Sequence, residues 1–240
     1  MRLLLLGGTA EARALAAQLP PEVEVISSLA GRVPDPALPV GQVRIGGFGG
    51  VDGMVQWLRA ERIDAVVDAT HPFAANITAN AALACARLGL PGVVLARPPW
   101  QPGRATVVAS DVEAARFVAA QGHSRVFLTT GRSGTAAFVD VDAWFLIRAV
   151  TAPEPGTLPV RHQLVLSRGP YRYDDEVRLM REHGVDALVT KNSGGDMTRA
   201  KLDAADHLGV DVVMVDRPAL PAGVPTVPTV GAAVDWVRAR

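Results

Sequence analysis

The sequence predicts an α/β protein of two similar Rossmann-like, doubly wound parallel-sheet units, related by internal duplication, with a ligand cleft between them. The first observation behind this is self-similarity. At an offset of 122, residues 47–67 lie without gaps over 169–189, with Gly, Asp, Val, Arg, Asp, Ala and Val coinciding. At an offset of 120, Ala84, Leu88, Gly89, Val93, Arg97 and Pro98 fall on Ala204, Leu208, Gly209, Val213, Arg217 and Pro218. The second is the alternation, in each half, of short apolar runs with helical stretches. Most runs are apolar on both sides, as parallel strands covered by helices on both faces must be. The seam falls near Gln121-Gly122, so the expected units are 1–122 and 123–240. The C-terminal boundary, and an exchange of strands between the halves, stay open.

Taken in order, strands are expected at 3–6, 23–27, 42–45, 65–69 and 93–96 in the first half. Their counterparts in the second are 125–129, 144–148, 163–167, 187–190 and 212–215. Helices are expected at 10–19, 51–61, 74–88, 111–120, 133–139, 173–183, 197–208 and 231–239. Gly89 and Gly209 punctuate two helix ends, and Ser110 with Glu113 forms a capping box. The proline-rich stretch 152–159 is a loop inside the second unit, too short for a linker between domains.

Composition excludes several classes. The 24 Lys and Arg balance 24 Asp and Glu, 10 against 10 in residues 1–122 and 14 against 14 in the rest. Neither half therefore has the charge of a nucleic-acid-binding module. A lone cysteine, Cys85, rules out a disulfide framework and a cysteine-based zinc site, and no metal is expected. No stretch approaches the ~18 apolar residues of a membrane helix. The apolar run 3–6 is shorter than the core of a secretory signal, about 7–15 residues. The expectation is a cytoplasmic globular protein with no membrane partner. Twenty-two of the 24 basic residues are Arg, which makes Lys191 and Lys201 stand out.

Ligands of such sheets bind beyond the carboxyl ends of the strands, so the loops there carry the functional reading. After the first strand comes Gly7-Gly8-Thr9-Ala10-Glu11-Ala12, a glycine loop running into a helix. It resembles the dinucleotide fingerprint with Thr9 in place of the middle glycine. Backbone N–H groups at the helix start would face a pyrophosphate, and the Thr9 hydroxyl could add a donor. Twenty residues past Gly7 the second strand ends at Ser27-Ser28, with Arg32 nearby and no carboxylate for ribose hydroxyls. Two hydroxyls and a cation suit a 2′-phosphate, which favours NADP over NAD. Thr70 and His71 follow the fourth strand, where His71 could meet a nicotinamide or a substrate carboxylate.

The second half repeats the geometry with different chemistry. Its loops offer Arg132 after the first strand, Ser167 and Arg168 after the third, Lys191, Ser193, Gly194 and Gly195 after the fourth, and Arg217 after the fifth. Hydroxyls, free N–H groups and a cation at each point suit an anionic ligand with several carboxylates or phosphates.

These motifs converge. LLLLGGTAEARALA, ISSLAGR, DATHPFA, TTGR, LSRGP, KNSGG and VVMVDRP resemble, in order and over the whole chain, the precorrin-6A (precorrin-6x) reductases of cobalamin biosynthesis. The resemblance implies NADPH-dependent reduction of the precorrin-6A macrocycle, with hydride delivered to a ring carbon. The first unit would hold NADPH, and the second would form a cationic wall for a polycarboxylate tetrapyrrole. His71 and Lys191 are the candidates for proton transfer. Transient contact with neighbouring pathway enzymes, and whether the macrocycle carries cobalt, stay open. Two other classes fit the residues alone: a two-lobed nucleotide-sugar glycosyltransferase and a non-catalytic sensor of an anionic metabolite.

Overall fold

The computed structural model describes residues 1–31 and 38–240. In chain order the elements begin β1 (Arg2–Leu6), α1 (Ala10–Gln18), β2 (Glu24–Leu29), β3 (Gln42–Ile45), α2 (Gly50–Ala60), β4 (Ala65–Asp68), α3 (Ala75–Leu88), β5 (Gly92–Leu95), β6 (Thr106–Val108) and α4 (Asp111–Gln121). They continue β7 (Arg125–Leu128), a 3-10 turn (Thr135–Phe138), β8 (Trp144–Ala149), β9 (His162–Leu166), α5 (Tyr173–Glu182), β10 (Ala187–Lys191), α6 (Ala200–Leu208), β11 (Asp211–Val215), β12 (Thr226–Val227) and α7 (Val230–Arg238). They form two compact units, residues 1–98 with 218–240, and residues 99–217.

The first unit is a six-stranded parallel sheet in the order β12-β5-β4-β1-β2-β3. Leu3, Leu4, Leu5 and Leu6 of β1 are 0–1% exposed because helices cover both faces. Leu3 and Leu5 pack with Leu15 of α1 and Val234 of α7 on one face; Leu4 and Leu6 pack with Met54, Leu58 and Ala84 of α2 and α3 on the other. Full burial of each leucine contributes about 1.5–3 kcal/mol. The helices are also fixed locally. Thr9, Ser110 and Thr229 cap α1, α4 and α7 through their hydroxyls, while Gly89, Gly122 and Gly209 end α3, α4 and α6 in the left-handed conformation.

The second unit repeats the pattern as β6-β11-β10-β7-β8-β9, also all parallel. Phe127, Leu146 and Leu188 of its strands pack against Val177, Met180, Ala204 and Ala205 of α5 and α6. Numbered within its own repeat, each sheet has the strand order of a dinucleotide-binding fold.

A division at residue 122 does not hold, and the correction has a physical reason. The sheets would otherwise end at β5 and β11, leaving rows of unpaired backbone groups. Each edge is covered by a strand from the other half of the sequence. Val94 and Ala96 donate to Pro225 and Val227 (both 2.9 Å), and the Asp216 N–H donates to Val108 (2.8 Å). With β12 comes α7, which packs in the first unit; α4 follows β6 into the second. Two smaller differences concern helices. Residues 133–139 give only the 3-10 turn, and the helix expected from 197 begins at Ala200.

Candidate functional site

In the first unit the strand order reverses between β1 and β4, so the loops after these two strands lie side by side. Gly7 donates its N–H to Ser28 O (3.0 Å), tying the loop after β1 to the end of β2. Gly8 is exposed and left-handed (φ +108°), a conformation that favours glycine and presents bare backbone. Thr9 then starts α1, its hydroxyl accepting from Ala12 N (3.1 Å) and donating to Ala69 O (2.7 Å). That corrects one expectation: a hydroxyl has a single proton, and Thr9 spends it on the loop after β4. The N–H groups of Ala10 and Glu11 lie in the first helical turn, ahead of any intrahelical carbonyl, and are the anion-facing donors there.

Beyond β4, Asp68 is 3% exposed and accepts from Thr70 N (2.9 Å), Thr70 Oγ1 (2.7 Å) and Thr78 Oγ1 (2.5 Å). Thr70 is thereby held as part of the turn. His71, at the exposed tip, accepts the Phe73 N–H on Nδ1 (3.3 Å). Glu11 reaches Arg97, just past β5, at 2.8 Å. Thr9, Glu11, Ala69, Thr70, Pro72, Leu95 and Arg97 line one small recess. Arg97 was not singled out from the sequence, although its repeat partner Arg217 was.

The end of β2 departs from expectation. Ser27 is 1% exposed, and its Oγ has no hydrogen-bond partner among the described residues. It shares the face of Leu5, its neighbour on β1, inside the core under α1. Strand alternation sends Ser28 to the other face, where its Oγ accepts from Arg44 of β3 (3.2 Å). Arg32 lies outside the described residues. The cation that the structure brings to the end of β2 is Arg44, which the sequence reading passed over.

In the second unit, the strands carrying the Arg132 and Lys191 loops are paired neighbours. Lys191 Nζ stands 3.4 Å from Asp111 Oδ2 at the start of α4. Asp111 Oδ1 and Thr130 Oγ1 are both buried without hydrogen-bond partners among the described residues, and a Cβ at Gly134 would lie 3.0 and 2.3 Å from them. The KNSGG loop is pinned by Asn192. It accepts from Trp100 N (2.8 Å) and donates to Trp100 O (3.2 Å), while Trp100 Nε1 donates to Gly195 O (2.8 Å). Arg217 Nε donates to Asn192 O (2.7 Å), so Lys191, Ser193, Gly194, Gly195 and Arg217 form one group. Ser167 and the exposed Arg168 do not join it. They follow edge strand β9, three strands from β10, but the chain after them turns back, and Tyr171 N donates to Met197 O (3.1 Å), two residues past the KNSGG loop.

Behind this loop group lies a buried charge cluster unmarked by the sequence motifs. Arg148 holds Glu176 bidentately (2.5 and 2.8 Å), both under 8% exposed. Lys201, 5% exposed, stands with its Nζ 5.3 Å from the Trp100 ring. Burial and the Arg148 charge lower its pKa to about 7, against the opposing pull of Glu176. Cys85, on the core face of α3, has its thiol pushed up to about 11 by burial and is a packing residue.

A family model described as precorrin-6x reductase CbiJ/CobK matches residues 2–238. The chain belongs to the precorrin-6x reductase family. Among similar family members is the precorrin-6A reductase of Mycobacterium tuberculosis (strain ATCC 25618 / H37Rv), 70% identical over 98% of this chain and 97% of the relative. That of Rhodococcus erythropolis is 56% identical, with the same coverage of both chains. A solved structure named CobK precorrin-6A reductase superposes with a TM-score of 0.92 at 38% identity, covering all of this chain and 96% of the other. The two-sheet architecture is thus that of the precorrin-6x reductases.

Proposed function

We propose that this chain performs its family's reaction, reduction of precorrin-6A in cobalamin biosynthesis, with NADPH on the first unit and the carboxylates of the macrocycle on the second. The observation that carries the cofactor reading is the glycine loop after β1. It runs into a hydroxyl-capped helix where a dinucleotide-binding strand order reverses. The donor set fits a pyrophosphate. Ala10 and Glu11 present first-turn N–H groups, and Gly8 leaves room for close approach. The Arg97–Glu11 pair neutralises the carboxylate that would otherwise repel an anion.

When bound, NADPH supplies the hydride. The chain's own part is to bind, orient and neutralise. Lys191, Ser193, Gly194, Gly195 and Arg217 form one anion-binding end of the second unit, with Arg132 on the neighbouring strand's loop. Ser167 and Arg168 lie on the loop after edge strand β9, which meets the far side of the KNSGG loop at Met197. Cations and hydroxyls spread over the loops of four strands suit a ligand edged with several carboxylates. For the proton that accompanies hydride addition, the candidates are His71, as imidazolium, and Lys191.

Incubation with precorrin-6A and NADPH, followed by absorption, tests the reaction, and fluorescence titration with NADPH tests the cofactor. A protein that binds NADPH and consumes it with precorrin-6A supports the proposal. Failure to bind NADPH would leave a sensor or a sugar transferase as the better reading of the second unit.

A further inference from the structure

Arg44 is a well-anchored arginine whose contacts leave part of its guanidinium fork unused. It lies on edge strand β3, opposite Ser28 in the parallel register, and is half-buried. One Nη1–H goes to Ser28 Oγ (3.2 Å) and the other to Gly46 O (2.6 Å), while Nη2 donates to Gly47 O (2.6 Å). The guanidinium plane rests over the Phe48 ring, 3.8 Å from its centroid. Three of five N–H groups are thus engaged. The Nε–H and the second Nη2–H meet no described residue, and no carboxylate among the described residues balances the charge. Gly53 fixes the stack from beneath: a Cβ there would lie 1.8 Å from Phe48 O, so only glycine lets α2 sit against that carbonyl.

The surroundings are electropositive in a second way. The N-cap of α2, Gly49, offers no side-chain cap, and the carboxylate of its first turn, Asp52, is paired with Arg87 (2.6 Å), so the first-turn N–H groups of α2 end in the loop whose carbonyls clamp Arg44. A rigid, uncompensated guanidinium fork beside an uncapped helix start recognises a tetrahedral dianion. Its place matters equally. In this strand order the end of β2 receives the ribose of a bound dinucleotide.

We infer that Arg44, positioned by Ser28 and Phe48, is the residue that reads the 2′-phosphate of NADPH and so sets the preference for NADPH over NADH. This rests on the cofactor reading above, and it gives Arg44 the role that the sequence alone assigned to Arg32.

The test is paired fluorescence titration of the full chain with NADPH and NADH, in wild type, Arg44→Ala, Arg44→Lys, Ser28→Ala and Arg32→Ala. Arg44→Ala should raise the NADPH dissociation constant roughly ten- to a hundred-fold and leave that of NADH within about twofold. Arg44→Lys keeps the charge without the fork and should fall between. Ser28→Ala, whose small change keeps the fold should Arg44→Ala lose it, should weaken NADPH a few-fold with NADH unmoved. Competition by adenosine 2′,5′-bisphosphate should weaken in parallel. Equal losses for both cofactors would mean that Arg44 merely holds the loop, and would overturn the inference. So would an NADPH preference that survives in Arg44→Ala and vanishes in Arg32→Ala. Wild type binding neither cofactor would instead bring down the cofactor reading itself.

Discussion

Lys201→Met should stabilise the second unit at neutral pH and flatten the pH dependence of its stability. In the unfolded chain this lysine titrates near 10.5, whereas in the fold its pKa is about 7, lowered first by burial and then by Arg148, with Glu176 opposing. Between those values the unfolded state holds more protons, so stability rises with pH across the window 7–10.5. Below about 7 both states are protonated and the penalty is full. At about 1.4 kcal/mol per unit, a difference from 10.5 to about 7 amounts to roughly 4–5 kcal/mol. Met keeps a straight chain against Trp100 without a charge, at little packing cost. Urea unfolding of both proteins from pH 6 to 9.5 isolates the effect, since all other titrating groups cancel in the difference. The variant should be more stable at pH 7, with the gap closing as pH rises. Parallel curves, or a less stable variant at pH 7, would show that Glu176 holds Lys201 charged and would refute the reasoning.

Arg97→Ala should weaken NADPH and NADH alike, by several-fold, because it strands Glu11 beside the pyrophosphate donors rather than touching the 2′-phosphate; titration of both cofactors checks this. Lys191→Ala should weaken macrocycle binding by about 1.5–3 kcal/mol and spare NADPH affinity, measured by titration with each ligand. Ser27→Ala should leave the urea midpoint unchanged or raise it slightly, since its hydroxyl is buried without a partner among the described residues. Ser27→Asp should lower that midpoint rather than shift cofactor preference, because it buries a carboxylate.

The ten longer strands were legible because each is an apolar run bounded by loop residues, and their observed limits fall within two residues of expectation. β6 and β12 were not. With three and two residues they carry too little periodicity to mark a strand, and they decide which sheet each chain end completes. At the site, the loops after β1, β4 and β10 were readable because glycine, hydroxyl and cation cluster there within a few positions. Arg44 carried no such signal, because its contact with Ser28 runs across the sheet to a residue sixteen positions earlier. Arg97 could have been found, since the duplication aligns it with Arg217. The functions of Thr9 and Ser27 were misjudged for one reason. Residue type tells that a hydroxyl is present, and only the packing tells which way its single proton goes.

The exchanged end strands bear on the order in which the polypeptide acquires structure during synthesis. Residues 99–217 form one uninterrupted unit, whereas the other needs 1–98 and 218–240 together. β1 is synthesised before any strand of the second unit, yet it belongs to the sheet that is finished later. Until the final residues emerge, β5 has a bare edge, and the Leu3, Leu5 and Leu15 surface lacks the cover of Ala233, Val234 and Val237. A nascent chain stalled near residue 217 has a complete second unit and an open, aggregation-prone first one. Residues 218–240 act as a latch that closes the first unit's sheet.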